Sequence, residues 1–169
     1  MLQQAGNRIN ESSELAEALT RLLPRLWTFA LRLMGDAKLA EDLVRRTCCE
    51  ALERKVDMPV AIDPGLWLLT VLHSVWQSNF RKLAIRNSMA SVQLSDTPGM
   101  NGQEHMHCRI ISGVMQLPDV QRFAILLVTA EDIGVKNASE ILGITVGTTM
   151  DLILQARLTI GSCFYVVKG

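Results

Sequence analysis

Aromatic side chains are scarce in this chain: three Trp, one Tyr and four Phe among 169 residues. Long stretches also lack Gly and Pro while apolar residues are plentiful, and that balance points to an all-α protein. There is no excess of either charge, with 17 basic against 17 acidic residues, an unusual balance for a nucleic-acid binder. No apolar run approaches the roughly 20 residues a membrane span needs. The longest, Phe123 to Val128, is the size of a core segment. The polar stretch Met1 to Ser13 lacks the basic-then-apolar layout of a secretion signal, so a cytoplasmic location and no membrane partner are expected.

The four cysteines, Cys48, Cys49, Cys108 and Cys163, match no paired zinc or redox spacing. Cys48 and Cys49 fall in a helical pattern and read as small buried hydrophobes. His105, His107 and Cys108 make an incomplete ligand set, so neither a metal nor a cofactor is expected. No glycine loop for phosphate appears, and His73, His105 and His107 have no nucleophile or carboxylate partner placed by the sequence. No catalytic residue is assigned, and the chain reads as a non-enzyme.

What is present is helical periodicity. Leu15, Leu19, Leu22, Leu23, Leu26, Phe29, Ala30, Leu33 and Met34 recur at three and four, giving one long helix or two joined at Pro24, closed by Gly35. Asp36 can cap a second helix with Ala37, Ala40, Leu43, Val44, Thr47, Cys48, Ala51 and Leu52 inside and Glu41, Asp42, Arg45 and Arg46 outside. A third helix follows Gly65, carrying Trp67, Ser74, Trp76 and Ser78 and ending at Arg81 and Lys82. Rings and cations in that order suit a single DNA strand, since bases stack on rings and cations hold phosphates. A core tryptophan and a dipole-favoured basic helix end account for it equally.

Residues 84–104 lose the period and collect Ser, Asn, Gly and Pro, which marks a linker. The second body begins near His105 with Ile110, Ile111, Val114 and Leu117 before Pro118, then opens a new helix at Asp119. From Asn137 to Ile160 a short helix with Ala138, Ile141 and Leu142 meets Gly143, and a second begins near Thr145. Its inward residues are Thr149, Ile153, Ala156 and Ile160. That is the pattern of a helix-turn-helix, and an ordinary αα-hairpin shares it.

Four segments in order carry a family likeness: Asp36-Ala-Lys-Leu-Ala-Glu-Asp-Leu-Val, Trp67-Leu-Leu-Thr-Val-Leu-His, Leu117-Pro-Asp-Val-Gln-Arg122, and Ala138-Ser-Glu-Ile-Leu-Gly-Ile-Thr-Val-Gly-Thr-Thr. Together they resemble the extracytoplasmic-function (ECF) sigma factors of bacterial RNA polymerase. The resemblance implies an all-α protein of two small helical bundles on a flexible linker, residues 14–83 and 105–162, the second holding a helix-turn-helix. It implies a promoter-recognition subunit in transcription initiation, with core RNA polymerase and promoter DNA as partners. Asp36, Glu41, Asp42, Leu43, Arg45 and Arg46 would dock on polymerase. Trp67, Ser74, Ser78, Arg81 and Lys82 would meet the minus-ten element. Asn137, Thr145, Thr148, Asp151, Gln155 and Arg157 would meet the minus-thirty-five element.

The departures gather on the DNA side. Arg45 and Arg46 stand where the family usually has Gln-Glu, and Ser74 and Ser78 where it commonly has Asn and Asp. Met150, Asp151, Leu152 and Gln155 occupy places where the family typically turns Ser, Arg and other polar or basic residues to DNA. From Met106 onward five acidic residues balance five basic ones, so counterion release contributes little. Met150, Leu154 and Leu158 form a second apolar row that calls for a cover: the segment Cys163 to Val167, an anti-sigma protein, or a second copy. These departures keep two alternatives open, a sigma-like decoy or adaptor that has lost promoter reading, and a stand-alone helix-turn-helix regulator.

Overall fold

The computed structural model describes the backbone of residues 2–54, 62–80 and 102–165, and the side chains of 16–54, 62–79 and 109–162. Among the described residues there are seven α-helices and no strand. The first helix, α1, runs unbroken through Leu2–Met34 with Pro24 inside it. Proline costs one intrahelical bond, and the Pro24 carbonyl gains a side-chain donor, Thr28 Oγ1 at 2.9 Å. Gly35 ends the helix at φ +66°, a conformation that an L side chain resists.

Asp36 then caps α2 (Ala37–Glu53), its Oδ1 accepting from the Leu39 amide at 2.8 Å. α3 (Pro64–Val75) starts on a cap absent from the sequence reading: Asp63 Oδ1 accepts from the Gly65 and Leu66 amides at 2.8 and 3.1 Å, with Pro64 in the first turn. A π-helical turn, Trp76–Phe80, extends it. These helices make the first body.

The second body comprises α4 (Gly102–Gln116), α5 (Asp119–Thr129), α6 (Val135–Leu142) and α7 (Val146–Tyr165). α4 starts at Gly102, so the last residues of the expected linker are helical, whereas 84–101 lie outside the described residues. Ile110 and Ile111 do not face the core. They are exposed, and Gly113 and Leu117 take the inward positions.

The two bodies pack directly on each other, and one apolar cluster runs from Phe29, Leu43 and Leu72 through Phe123 and Leu127 to Ile141 and Ala156. The helix between them is α5, whose residues from Arg122 to Leu127 are all buried. A helix buried on every side must have neighbours on every side. Phe123 projects into a pocket of the first body, with ring centroids 5.2 Å from Phe29, 4.8 Å from His73 and 5.1 Å from Trp76. At that separation aromatic rings attract through tilted and edge-on contacts.

Beside it the buried Arg122 guanidinium gathers helix-end carbonyls from both bodies. Nη1 donates to Leu33 of α1 at 3.1 Å, Nη2 to Met115 and Leu117 at 2.7 and 3.0 Å, and Nε to Val114 at 3.2 Å. Burial pulls its pKa below the ordinary arginine value, with Asp119 opposing. Charge at a helix C-terminus is favourable, so the cation is held by dipoles as well as by bonds. An Arg25–Glu131 ion pair closes the rim of the seam.

Candidate nucleic-acid interface

The outer face of α2 is charged because its inner face is spent on the core. Leu43 is fully buried, so it anchors the helix and does not stand on the surface as a docking residue would. Glu41, Arg45 and Arg46 are exposed and Asp42 is half-buried. Asp42 accepts from Arg45 Nη2 at 2.9 Å, and that bond and charge raise the Arg45 pKa. Asp36 is engaged as the helix cap. Cys48 is half-buried but Cys49 is exposed, which corrects the expectation that both are interior. The physical reason is helical spacing: adjacent residues point about 100° apart, and only one can share the inner face.

On α3 the two tryptophans are core residues. Trp67 and Trp76 are buried, so neither ring is presented as a stacking platform in this arrangement. The core alternative read from the sequence is the one observed. Ser74 is half-buried and Ser78 exposed, with Ser78 Oγ donating to the Ser74 carbonyl at 2.8 Å in the π-helical turn. Arg81 and Lys82 lie outside the described residues.

α6 and α7 meet at a bend of 103° across three residues, Gly143 to Thr145. Gly143 adopts φ +66°, ψ +31°, with its amide directed back to α6 carbonyls. Thr145 Oγ1 accepts from the Thr148 amide at 3.1 Å and lies 2.8 Å from Thr148 Oγ1, an N-terminal cap built from two hydroxyls. Thr149, Ile153 and Ala156 are buried as the spacing requires. Thr145 is exposed just before α7, Thr148, Asp151, Gln155 and Arg157 are exposed on it, and Asn137 is half-buried on α6. Gln155 Oε1 accepts from Gln121 Nε2 at 2.9 Å, tying α7 to α5.

The second apolar row on α7 is open to solvent: Met150 57%, Leu154 57% and Leu158 65% exposed. Val146, one turn earlier, is exposed too and continues the row at the same four-residue spacing. No single helix among the described residues is long and apolar enough to cross a membrane. No group of three metal-ligating side chains occurs among the described residues; His105, His107 and Cys108 have no described side chains.

The seam residues Arg25, Phe123 and Glu131 were not legible as partners. The one available signal was the unbroken apolar run after Arg122, which is longer than a single buried helix face requires.

Comparison with known proteins gives a consistent set. Residues 18–85 match the family model described as Sigma-70 region 2, which covers the first body. The chain is 28% identical over 160 residues to the ECF RNA polymerase sigma factor EcfG of Rhodopseudomonas palustris, covering 92% of this chain and 87% of that one. It is 33% identical over 86 residues to the ECF RNA polymerase sigma factor SigL of Mycobacterium tuberculosis, half of this chain and 49% of that one. Its fold is similar to the sigma factor RpoE of Bartonella quintana, solved in complex with the anti-sigma factor NepR, with TM-score 0.69, 24% identity, and 92% and 99% of the two chains covered.

Proposed function

Given that the chain belongs to the ECF sigma factors of bacterial RNA polymerase, we propose that it directs transcription initiation with its two helical bodies divided between polymerase and promoter. The first body, residues 14–83, docks on core polymerase through Glu41, Asp42, Arg45 and Arg46 on the outer face of α2. The observation that carries this is the coincidence of the region-two match with a mixed-charge outer face of α2 that holds those four residues. Ser74 and Ser78, at the end of α3, meet the opened minus-ten strand, followed along the chain by Arg81 and Lys82. Catalysis stays with the polymerase.

The second body, residues 105–162, reads the minus-thirty-five element. Its α6–α7 pair has the angle and turn length of a helix-turn-helix, typically about 90–120° across three or four residues. Thr145 and Thr148 sit at the N-terminus of α7, where free amides and hydroxyls suit phosphate. Asn137, Gln155 and Arg157 extend toward base edges and backbone, while Asp151 opposes phosphate and lowers affinity. The apolar row of Val146, Met150, Leu154 and Leu158 is the surface for an anti-sigma partner, the kind of protein with which the similar sigma factor was solved. The decoy and stand-alone regulator readings are not favoured, because likeness to sigma factors runs through both bodies.

The test is reconstitution. The full chain mixed with core polymerase should co-elute with it and support initiation at a subset of promoters, with promoter complexes that weaken steeply as salt rises. A chain that never co-elutes with core polymerase removes this reading.

A further inference from the structure

The seam between the bodies is a built contact. Phe123 leaves its own body to fill the pocket of Phe29, His73 and Trp76, Arg122 reaches the Leu33 carbonyl, and Arg25 pairs with Glu131 at the rim. At the turn after α1, a Cβ on Gly35 would collide with Met115 Cε, so that turn and α4 are in close approach. One polar atom in the seam is left over: the buried Trp76 Nε1 has no hydrogen-bond partner among the described residues. An unpaired buried donor makes closure less favourable, and separation of the bodies would return it to water.

Size makes the closed arrangement incompatible with full promoter engagement, on the reading proposed above. A compact chain of 169 residues has a radius of gyration of about 15 Å, and the 33-residue α1, the longest element, spans about 50 Å. Elements about 25 base pairs apart are separated by roughly 85 Å of duplex at 3.4 Å per step. The bodies must part to occupy both.

We propose that Phe123 is a latch: seated in the first body's aromatic pocket, it holds the free protein closed, and engagement of polymerase withdraws it. α5 is the element that changes surroundings, since its buried stretch faces both bodies at once. Opening uncovers Phe123 and frees the Leu33 carbonyl and Trp76 Nε1 together.

Two measurements on the full chain test this. Small-angle scattering of the free protein gives the radius of gyration of the closed form. Phe123→Ala should increase it by several Å with helical circular dichroism retained. Hydrogen exchange should show the α5 amides of 123–127 losing protection when core RNA polymerase is added. Should Phe123→Ala unfold the chain, the rim variant Arg25→Ala with Glu131→Ala takes its place. Removing a partly exposed ion pair there should speed α5 exchange about threefold in the free protein. The latch is overturned by an unchanged radius in a folded Phe123→Ala variant, by unchanged exchange in the rim variant, or by α5 remaining equally protected in the polymerase complex. Absence of any polymerase complex would instead count against the proposed function, and the free-protein measurements would still judge the latch.

Discussion

Replacing Arg122 by methionine keeps most of the side-chain volume and removes every donor. In the parent, the guanidinium serves the carbonyls of Leu33, Val114, Met115 and Leu117. The Val114 carbonyl retains the Leu117 amide at 3.2 Å, so the acceptors of Leu33, Met115 and Leu117 are the ones left without this donor. A buried acceptor deprived of its partner costs about 1–3 kcal/mol, and the mostly buried Asp119 loses a nearby cation as well. Against that, the variant no longer buries a charge, which returns part of the cost. A net loss of about 3 kcal/mol follows.

With a urea slope of about 2 kcal/mol/M, the midpoint should fall by about 1.5 M. Trp27, Trp67 and Trp76 all lie in the first body, so fluorescence reports there while far-UV circular dichroism reports all helices. Because the bodies share one core, the two probes should coincide in the parent. Arg122→Lys should fall between parent and Arg122→Met, since an ammonium lacks the fork that reaches two helix ends. A midpoint shift for Arg122→Met below about 0.3 M would refute the reasoning.

Gly143→Ala meets no neighbouring atom, so its cost is the left-handed backbone alone, about 1 kcal/mol and a fall in Tm of about 2–4 °C by calorimetry. Asp63→Ala removes the acceptor for two α3 amides and should cost about 1 kcal/mol in urea titration; no loss would mean that the cap is replaced by water. Burial, assisted by Cys49, raises the Cys48 pKa, so less reactive thiolate is present at neutral pH. Iodoacetamide followed by fragment mass spectrometry should find the exposed Cys49 modified first, with Cys48 catching up as pH rises. Leu154→Gln sits on an exposed row and should change folding stability by less than about 0.5 kcal/mol, while weakening capture by an anti-sigma partner in a pull-down.

Local chemistry was the legible part. Asp36 as a cap, Gly35 and Gly143 as left-handed turn residues, and the inward set Thr149, Ile153 and Ala156 all follow from short-range rules, and all are observed. The exposed row on α7 was also readable, because two apolar stripes on one helix cannot both face the same core. The seam was not. Periodicity states that Phe123 is buried but not in whose pocket, since the pairing of residues far apart in sequence leaves no periodic trace. Trp67 shows the same limit: a ring beside small polar groups fits either a base or a core, and only the packing decides.

The pocket formed by Phe29, His73 and Trp76 is complete in sequence well before the residue that fills it is made, since Phe123 follows Trp76 by about fifty positions. At about 5–20 residues per second a ribosome needs several seconds to cover that distance. Throughout that interval the emerging first half carries an unfilled aromatic hollow. Nascent chains stalled before α5 should therefore recruit chaperones, and chains stalled after it should release them.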